Sequence, residues 1–196
     1  MTGRAARVAT RFTPVRWERL FEDLEAQLEA AENEELAAEV ADRSRREVAR
    51  LRLVDRLRGS VGATTIVSLQ GLRVRGTIGR IGPDWVQLDD AGADLLVPLA
   101  AVVLVEGLRP SSAEPGSEGE VTARLGLAYA LRAIAGDRAE VRLFLADGSQ
   151  RTGRIGRVGA DHLELVEHDP GEPRLVRGTV TVIFPGLTAV RALRQD

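Results

Sequence analysis

One stretch of thirteen residues occurs twice, and it constrains this chain more than any other feature. The first copy is Gly76-Thr-Ile-Gly-Arg-Ile-Gly-Pro-Asp-Trp-Val-Gln-Leu88, and the second is Gly153-Arg-Ile-Gly-Arg-Val-Gly-Ala-Asp-His-Leu-Glu-Leu165. Both read G-x-I-G-R-[IV]-G-x-D-[WH]-[VL]-x-L, at a constant offset of 77 residues. So dense a match identifies an internal duplication, and a duplication means that one supersecondary unit was made twice.

Around the repeat, alternation and turn residues predict strands. Thr65, Val67 and Leu69 alternate ahead of the first copy, and Gly71 and Gly82-Pro83 punctuate it. Five short strands are expected at about 64–69, 73–81, 85–89, 95–98 and 102–106, with a loop at Ala91-Gly92-Ala93-Asp94. The second unit gives strands near 140–145, 150–158, 162–167, 174–177 and 180–184, and Asp147-Gly148 is a hairpin signal. At their ends the units align with an offset of 79: Leu96-Val97 on Leu175-Val176, Val103-Leu104-Val105 on Val182-Ile183-Phe184, and Gly107-Leu108 on Gly186-Leu187. Within each unit Ile78, Ile81, Val86 and Leu88, and Ile155, Val158, Leu163 and Leu165, are the expected filling. Ile78 and Ile81 are three apart, so both face inward only if the strand bulges near Gly79-Arg80. Asp84 and Asp161 are expected to bind backbone amides of their own turns.

Upstream lies a long helical pattern. Trp17, Leu20, Phe21, Leu24, Leu28 and Ala31 recur at helical spacing, and Leu36, Val40, Val48, Leu51, Val54 and Leu57 continue it with Ser44 in one slot. Thr13-Pro14 is a start signal, and no glycine or proline follows until Gly59. The reading is one amphipathic helix over 13–59; a slip in the stripe across Glu32–Glu35 leaves a helical hairpin as the alternative. Such a helix cannot bury its stripe on a small domain, so it is expected to pair with another helix in coiled-coil fashion.

The remaining segments are read from composition. Residues 1–12 form a disordered basic tail, 60–108 the first β-unit, 109–119 a flexible acidic linker, 120–187 a helix (about 120–135) plus the second β-unit, and 188–196 a C-terminal tail. All 27 basic residues are arginine, there is no cysteine, and the net charge is −2. The absence of cysteine excludes disulfides and thiolate metal sites, and fits a cytoplasmic protein. No secretory leader or membrane-length apolar run is apparent. The near-neutral charge argues against non-specific coating of nucleic acid.

The order of elements, together with the G-x-[hydrophobic]…D…L run in the second and third strands, resembles the Sm-like family of small β-barrels across residues 60–108 and 120–187. The resemblance implies an α+β fold: two tandem five-stranded Sm-like barrels, each preceded by a helix, behind a long N-terminal helix. It also implies ring-forming oligomers that bind single-stranded RNA, with an aspartate and an asparagine near the loop after strand two lining the base pocket. Asp84 and Asp161 stand near the aspartate position, but Val86-Gln87 and Leu163-Glu164 occupy the asparagine region. The arginine-glycine signature that the family has after strand four is absent, Gly107-Leu108-Arg109 and Arg177-Gly178 being poor substitutes for it.

No nucleophile–base pair, phosphate loop or metal spacing is present. Gly76-x-x-Gly79-x-x-Gly82 opens no helix, as a nucleotide fingerprint would. His162 and His168 lack metal-ligand spacing. The chain is read as a non-enzyme without cofactor or metal: a scaffold or adaptor, homo-oligomeric, with an unidentified protein partner and no membrane contact. The second reading is a nucleic-acid-binding regulator. In it Arg73, Arg75, Arg80, Arg154 and Arg157 track a phosphate backbone on the outer faces of strand two, while Trp85 and His162 stack on bases.

Overall fold

A computed structural model describes residues 15–117, 124–169 and 172–193, with the backbone path alone for 15–19, 168–169 and 172–176. The basic tail (1–12), the Thr13-Pro14 start signal, the beginning of the predicted 120–135 helix, part of the 168–173 loop and residues 194–196 lie outside the described residues. The chain divides into two compact units, residues 1–50 and 51–196.

The first unit holds α1, Val15–Val48, 34 residues or about 51 Å at the α-helical rise. Arg43 pairs with Glu47 at 3.3 Å one turn on, and Arg45 and Arg46 both reach back to Asp42. The helix does not continue to Gly59. It stops at Val48, and α2, Leu53–Arg58, starts afresh. Arg52 is extended (φ −93°, ψ 161°), and its N–H donates to the Asp55 carboxylate at 3.0 Å. An acceptor three residues past an extended residue makes a new helix start, without any glycine or proline. Asp55 is fully buried.

The second unit contains α2, α3 (Leu127–Gly136) and ten strands: β1 Thr64–Leu69, β2 Leu72–Ile81, β3 Trp85–Asp90, β4 Ala93–Pro98, β5 Val102–Glu106, β6 Glu140–Leu145, β7 Gln150–Val158, β8 His162–Asp169, β9 Glu172–Ile183 and β10 Leu187–Ala192. They form one open antiparallel sheet in the order β5-β1-β2-β3-β4-β10-β6-β7-β8-β9. This corrects the expectation of two closed Sm-like barrels. Closure would require β4 to pair with β5, but β4 instead pairs with β10, Leu96 opposite Val190 and Leu95 opposite Arg191. The reason is visible in β4 and β10 themselves. Leu95, Leu96, Val97 and Pro98 are buried in succession, as are Leu187, Thr188, Ala189 and Val190. A strand with one wet face alternates; runs like these are buried on both faces, and in β4 the two faces serve different clusters, Leu95 and Val97 the first and Leu96 the second.

The duplication survives in the strand order, because 5-1-2-3-4 is followed by its counterpart 10-6-7-8-9. Register puts β1 beside β2 with Thr65 opposite Gly76, and β6 beside β7 with Val141 opposite Gly153. β2 bulges where expected, its pairing shifting between Ile78 and Ile81, and β7 bulges at the matching place between Ile155 and Val158. Each copy also keeps its own apolar cluster, one around Ile78, Val86, Leu88 and Leu95, the other around Ile155, Leu163, Leu165 and Leu143. The clusters trade members at the junction, Leu96 joining the second and Ala189 the first. α2 packs against β2 and α3 against β7.

The C-terminal boundary differs from the sequence reading. β9 is one strand through Ile183, a 3-10 turn follows at Phe184–Gly186, and the residues read as a tail form β10. The counterpart of Val105, which faces Val67, is therefore Val190, which faces Leu143. The true end offset is 85, and the loop-rich 168–173 stretch concealed it. Residues 109–117, read as a flexible linker, are tied back to α2 and the turn after it. Ala113 N–H donates to the Asp55 carbonyl at 2.9 Å, Arg109 N–H to Ser60 Oγ at 3.0 Å, and Ser111 Oγ to the Gly59 carbonyl at 3.2 Å.

Candidate interaction sites on the two repeats

The G-x-D-[WH] turn sits in the same place in both copies and holds different things. In the first, Gly82 N–H donates to the Trp85 carbonyl at 2.9 Å, closing the turn. The indole lies directly over Gly82; a Cβ there would fall 2.1 Å from Nε1. Trp85 Nε1 donates to the Leu125 carbonyl at 2.8 Å, and Asp84 Oδ1 accepts from Leu127 N–H at 2.8 Å. Asp84 thus binds no amide of its own turn, as had been expected, but the first amide of α3, more than forty residues away. A carboxylate suits that position, because the leading amides of a helix have no intrahelical acceptor. The turn of copy one grips the helix of copy two.

In the second copy Gly159 N–H donates to the His162 carbonyl at 2.9 Å, and the imidazole covers Gly159 as the indole covers Gly82. No helix arrives. Asp161 is exposed and keeps to its neighbour, Oδ1 lying 2.8 Å from His162 Nδ1. That hydrogen bond, with the attraction of the ring's charge behind it, holds the Asp161 carboxyl below its ordinary range.

The arginines fall into two separate groups. Arg73, Arg75 and Arg80 are exposed on β2, and Arg154 and Arg157 are exposed on β7. Five strand spacings separate β2 from β7, at most about 24 Å along the sheet. Arg73 is tied to Glu106 at 2.8 Å. Trp85 is half-buried against the second apolar cluster with its polar edge engaged, so only part of its ring is open for stacking. His162 remains partly exposed. The side chain of His168 lies outside the described residues, and among the described residues no three metal-binding side chains converge.

A cavity of about 390 Å³ opens beside the first turn, lined by Arg80, Trp85, Gln87, Asp94, Tyr129 and Ile134 among others. Gln87 Nε2 donates to Asp94 Oδ1 at 2.6 Å on its wall. α3 and β10 supply the far side, so the cavity belongs to the junction between copies.

The junction itself was not read from sequence. Arg191 of β10 pairs with Asp90 of β3 and lies 5.8 Å from the centre of the Phe144 ring. Its only sequence signal is an arginine closing an apolar run, which the 79-residue alignment had placed in the tail. No family model matches this chain, and no curated protein matches it either.

Proposed function

We propose that the protein is a non-catalytic scaffold or adaptor, self-associating and binding partner proteins through the exposed apolar side chains of α1 and the open edges of the sheet. The observation that carries this reading is the row of exposed apolar residues on α1: Leu20, Phe21, Leu24, Leu28, Leu36, Val40 and Val48. No helix among the described residues is long and apolar enough to cross a membrane, and a cysteine-free chain fits the cytoplasm.

The test is sedimentation of the full-length protein beside Leu24→Glu/Leu28→Glu. The variant is expected to keep its helical circular dichroism and lose at least one step of association. An unchanged mass distribution would remove α1 from the reading.

The exposure of Arg75, Arg80, Arg154 and Arg157 supports the nucleic-acid alternative. Its mark would be single-strand binding that weakens steeply with salt and falls in Arg75→Glu/Arg154→Glu. A protein free of 260 nm absorbance whose binding ignores these substitutions favours the scaffold.

A further inference from the structure

α3 turns two different sets of side chains toward the sheet. Leu127 and Leu131 are large and buried in the second apolar cluster. Ala130 and Ala133, with Ala139 just past the helix, instead line the cavity beside the first turn, and Ala192 of β10 lines it from the sheet. Small side chains on both surfaces leave about 390 Å³ there, within the range of small-ligand sites. Its depth is apolar: Leu96 and Val190 line it and belong to the second cluster, with Ile134 packed against that cluster. Every lining residue lies in the second unit, residues 51–196.

The walls also carry charges that the protein leaves unmatched. Arg80, Asp94 and Asp137 line the cavity, and among the described residues none of the three has an ion-pair partner. Asp94 accepts only the amide of Gln87. Arg80 lies on β2 and Asp94 on β4, two strand spacings apart, or about 10 Å. Asp137 caps the C-terminus of α3, where the helix carbonyls favour a cation. The cavity is therefore set for an anion at one side and a cation at another, with an apolar wall between. A ligand with a single charge would leave the opposite group unanswered. A free amino acid carries both charges on one carbon and cannot reach both sides. An extended tripeptide holds its ammonium and carboxylate about 10 Å apart.

We propose that this cavity binds a short apolar peptide by its two termini, a tripeptide in the simplest case. Arg80 takes the carboxylate, Asp94 and Asp137 take the ammonium, and the central side chain lies against Leu96, Val190 and Ile134. Gln87 keeps its carbonyl oxygen, and Tyr129 its hydroxyl, for the peptide's own amides. The site uses neither α1 nor an edge of the sheet, so it goes beyond the scaffold reading and stands or falls apart from it.

Titration calorimetry of the full-length protein with Ala-Leu-Ala tests this. Acetylating the peptide's N-terminus or amidating its C-terminus is expected to weaken binding about tenfold each, the loss of one charged hydrogen bond. Arg80→Gln should weaken the free peptide about tenfold and leave the amidated one as it was. Asp94→Asn/Asp137→Asn should do the same to the free peptide and spare the acetylated one. Free leucine should bind at least tenfold more weakly than the tripeptide. Ala133→Leu, at an exposed helix position, fills the cavity and should abolish binding with the circular dichroism unchanged. Should that variant disturb α3, the Trp85 indole N–H resonance of the unaltered protein locates the site independently, and it should move as the peptide is added. No heat and no movement of that resonance at millimolar peptide would overturn the inference. So would blocked peptides that bind as tightly as the free one, or leucine that binds as tightly as the tripeptide.

Discussion

The turn at Asp84-Trp85 and the turn at Asp161-His162 share a backbone path and differ in what they hold. The first donates an indole N–H to the chain entering α3 and accepts the first amide of that helix. The second closes on itself, aspartate to histidine. Glycine lies beneath both rings. The duplicated residues therefore fix how the chain turns, while the neighbour that a turn meets fixes what its polar groups do. The turn of copy one lies beside the junction with copy two, and the turn of copy two beside the free β9 edge.

Substitutions at matched positions should separate the two sites, most strongly at the aromatic. Trp85→Ala removes a half-buried indole and the bond to Leu125, and should cost about 3 kcal/mol; His162→Ala should cost less than about 0.5 kcal/mol. Chemical denaturation of both variants decides, and equal losses would mean that the two turns are equally engaged. Next come the glycines. At Gly82→Ala the methyl meets an indole that cannot move without breaking its hydrogen bond, for about 2 kcal/mol. At Gly159→Ala the obstacle is a partly exposed imidazole held only by a hydrogen bond to the exposed Asp161 beside it, a bond that water can replace, and the loss should stay below about 1 kcal/mol.

A smaller contrast lies in the carboxylates. Asp84→Ala leaves the first amide of α3 without its acceptor, for about 1 kcal/mol, and should speed hydrogen exchange at Leu127. Asp161→Ala should change thermal stability by no measurable amount.

The smallest effect is in pH. Asp161 is held low by His162, and Asp147 by hydrogen bonds from Ser149. For a carboxyl whose folded pKa lies below its unfolded value, the stability is present above the ordinary value of 3.8 and is lost as pH falls through the lower folded value. Melting temperature should therefore fall below about pH 4, and Asp147→Asn with Asp161→Asn should flatten that slope slightly. A slope unchanged in the double variant would show that neither hydrogen bond persists in solution.

Much of the strand content was legible because it is local. Alternation at Thr65, Val67 and Leu69, the three-residue spacing of Ile78 and Ile81, and the Asp147-Gly148 turn each report their own neighbourhood, and strands, bulges and hairpin stand where those signals put them. What failed was long-range. Leu95-Leu96-Val97 and Leu187-Thr188-Ala189-Val190 are buried without alternation, the mark of strands covered on both faces, but sequence does not say which strand lies beside them. Once β4 takes β10 as its neighbour, no barrel can close. Asp84 was legible as an amide-binding aspartate and illegible as a cap on α3, because the amide it binds lies 43 residues on. At the break between α1 and α2 the local signal is Asp55, whose carboxylate accepts from Arg52 N–H, in a stretch with no glycine or proline.

The junction of β4 with β10 decides most of this, and cross-strand nuclear Overhauser contacts test it directly. Contacts should link Leu96 with Val190 and Leu95 with Arg191, with none between 95–98 and the β5 residues 102–106 beyond those at the connecting turn. A ladder of contacts joining β4 to β5, with none from β4 to β10, would mean that each copy closes on itself and would contradict the single ten-stranded sheet.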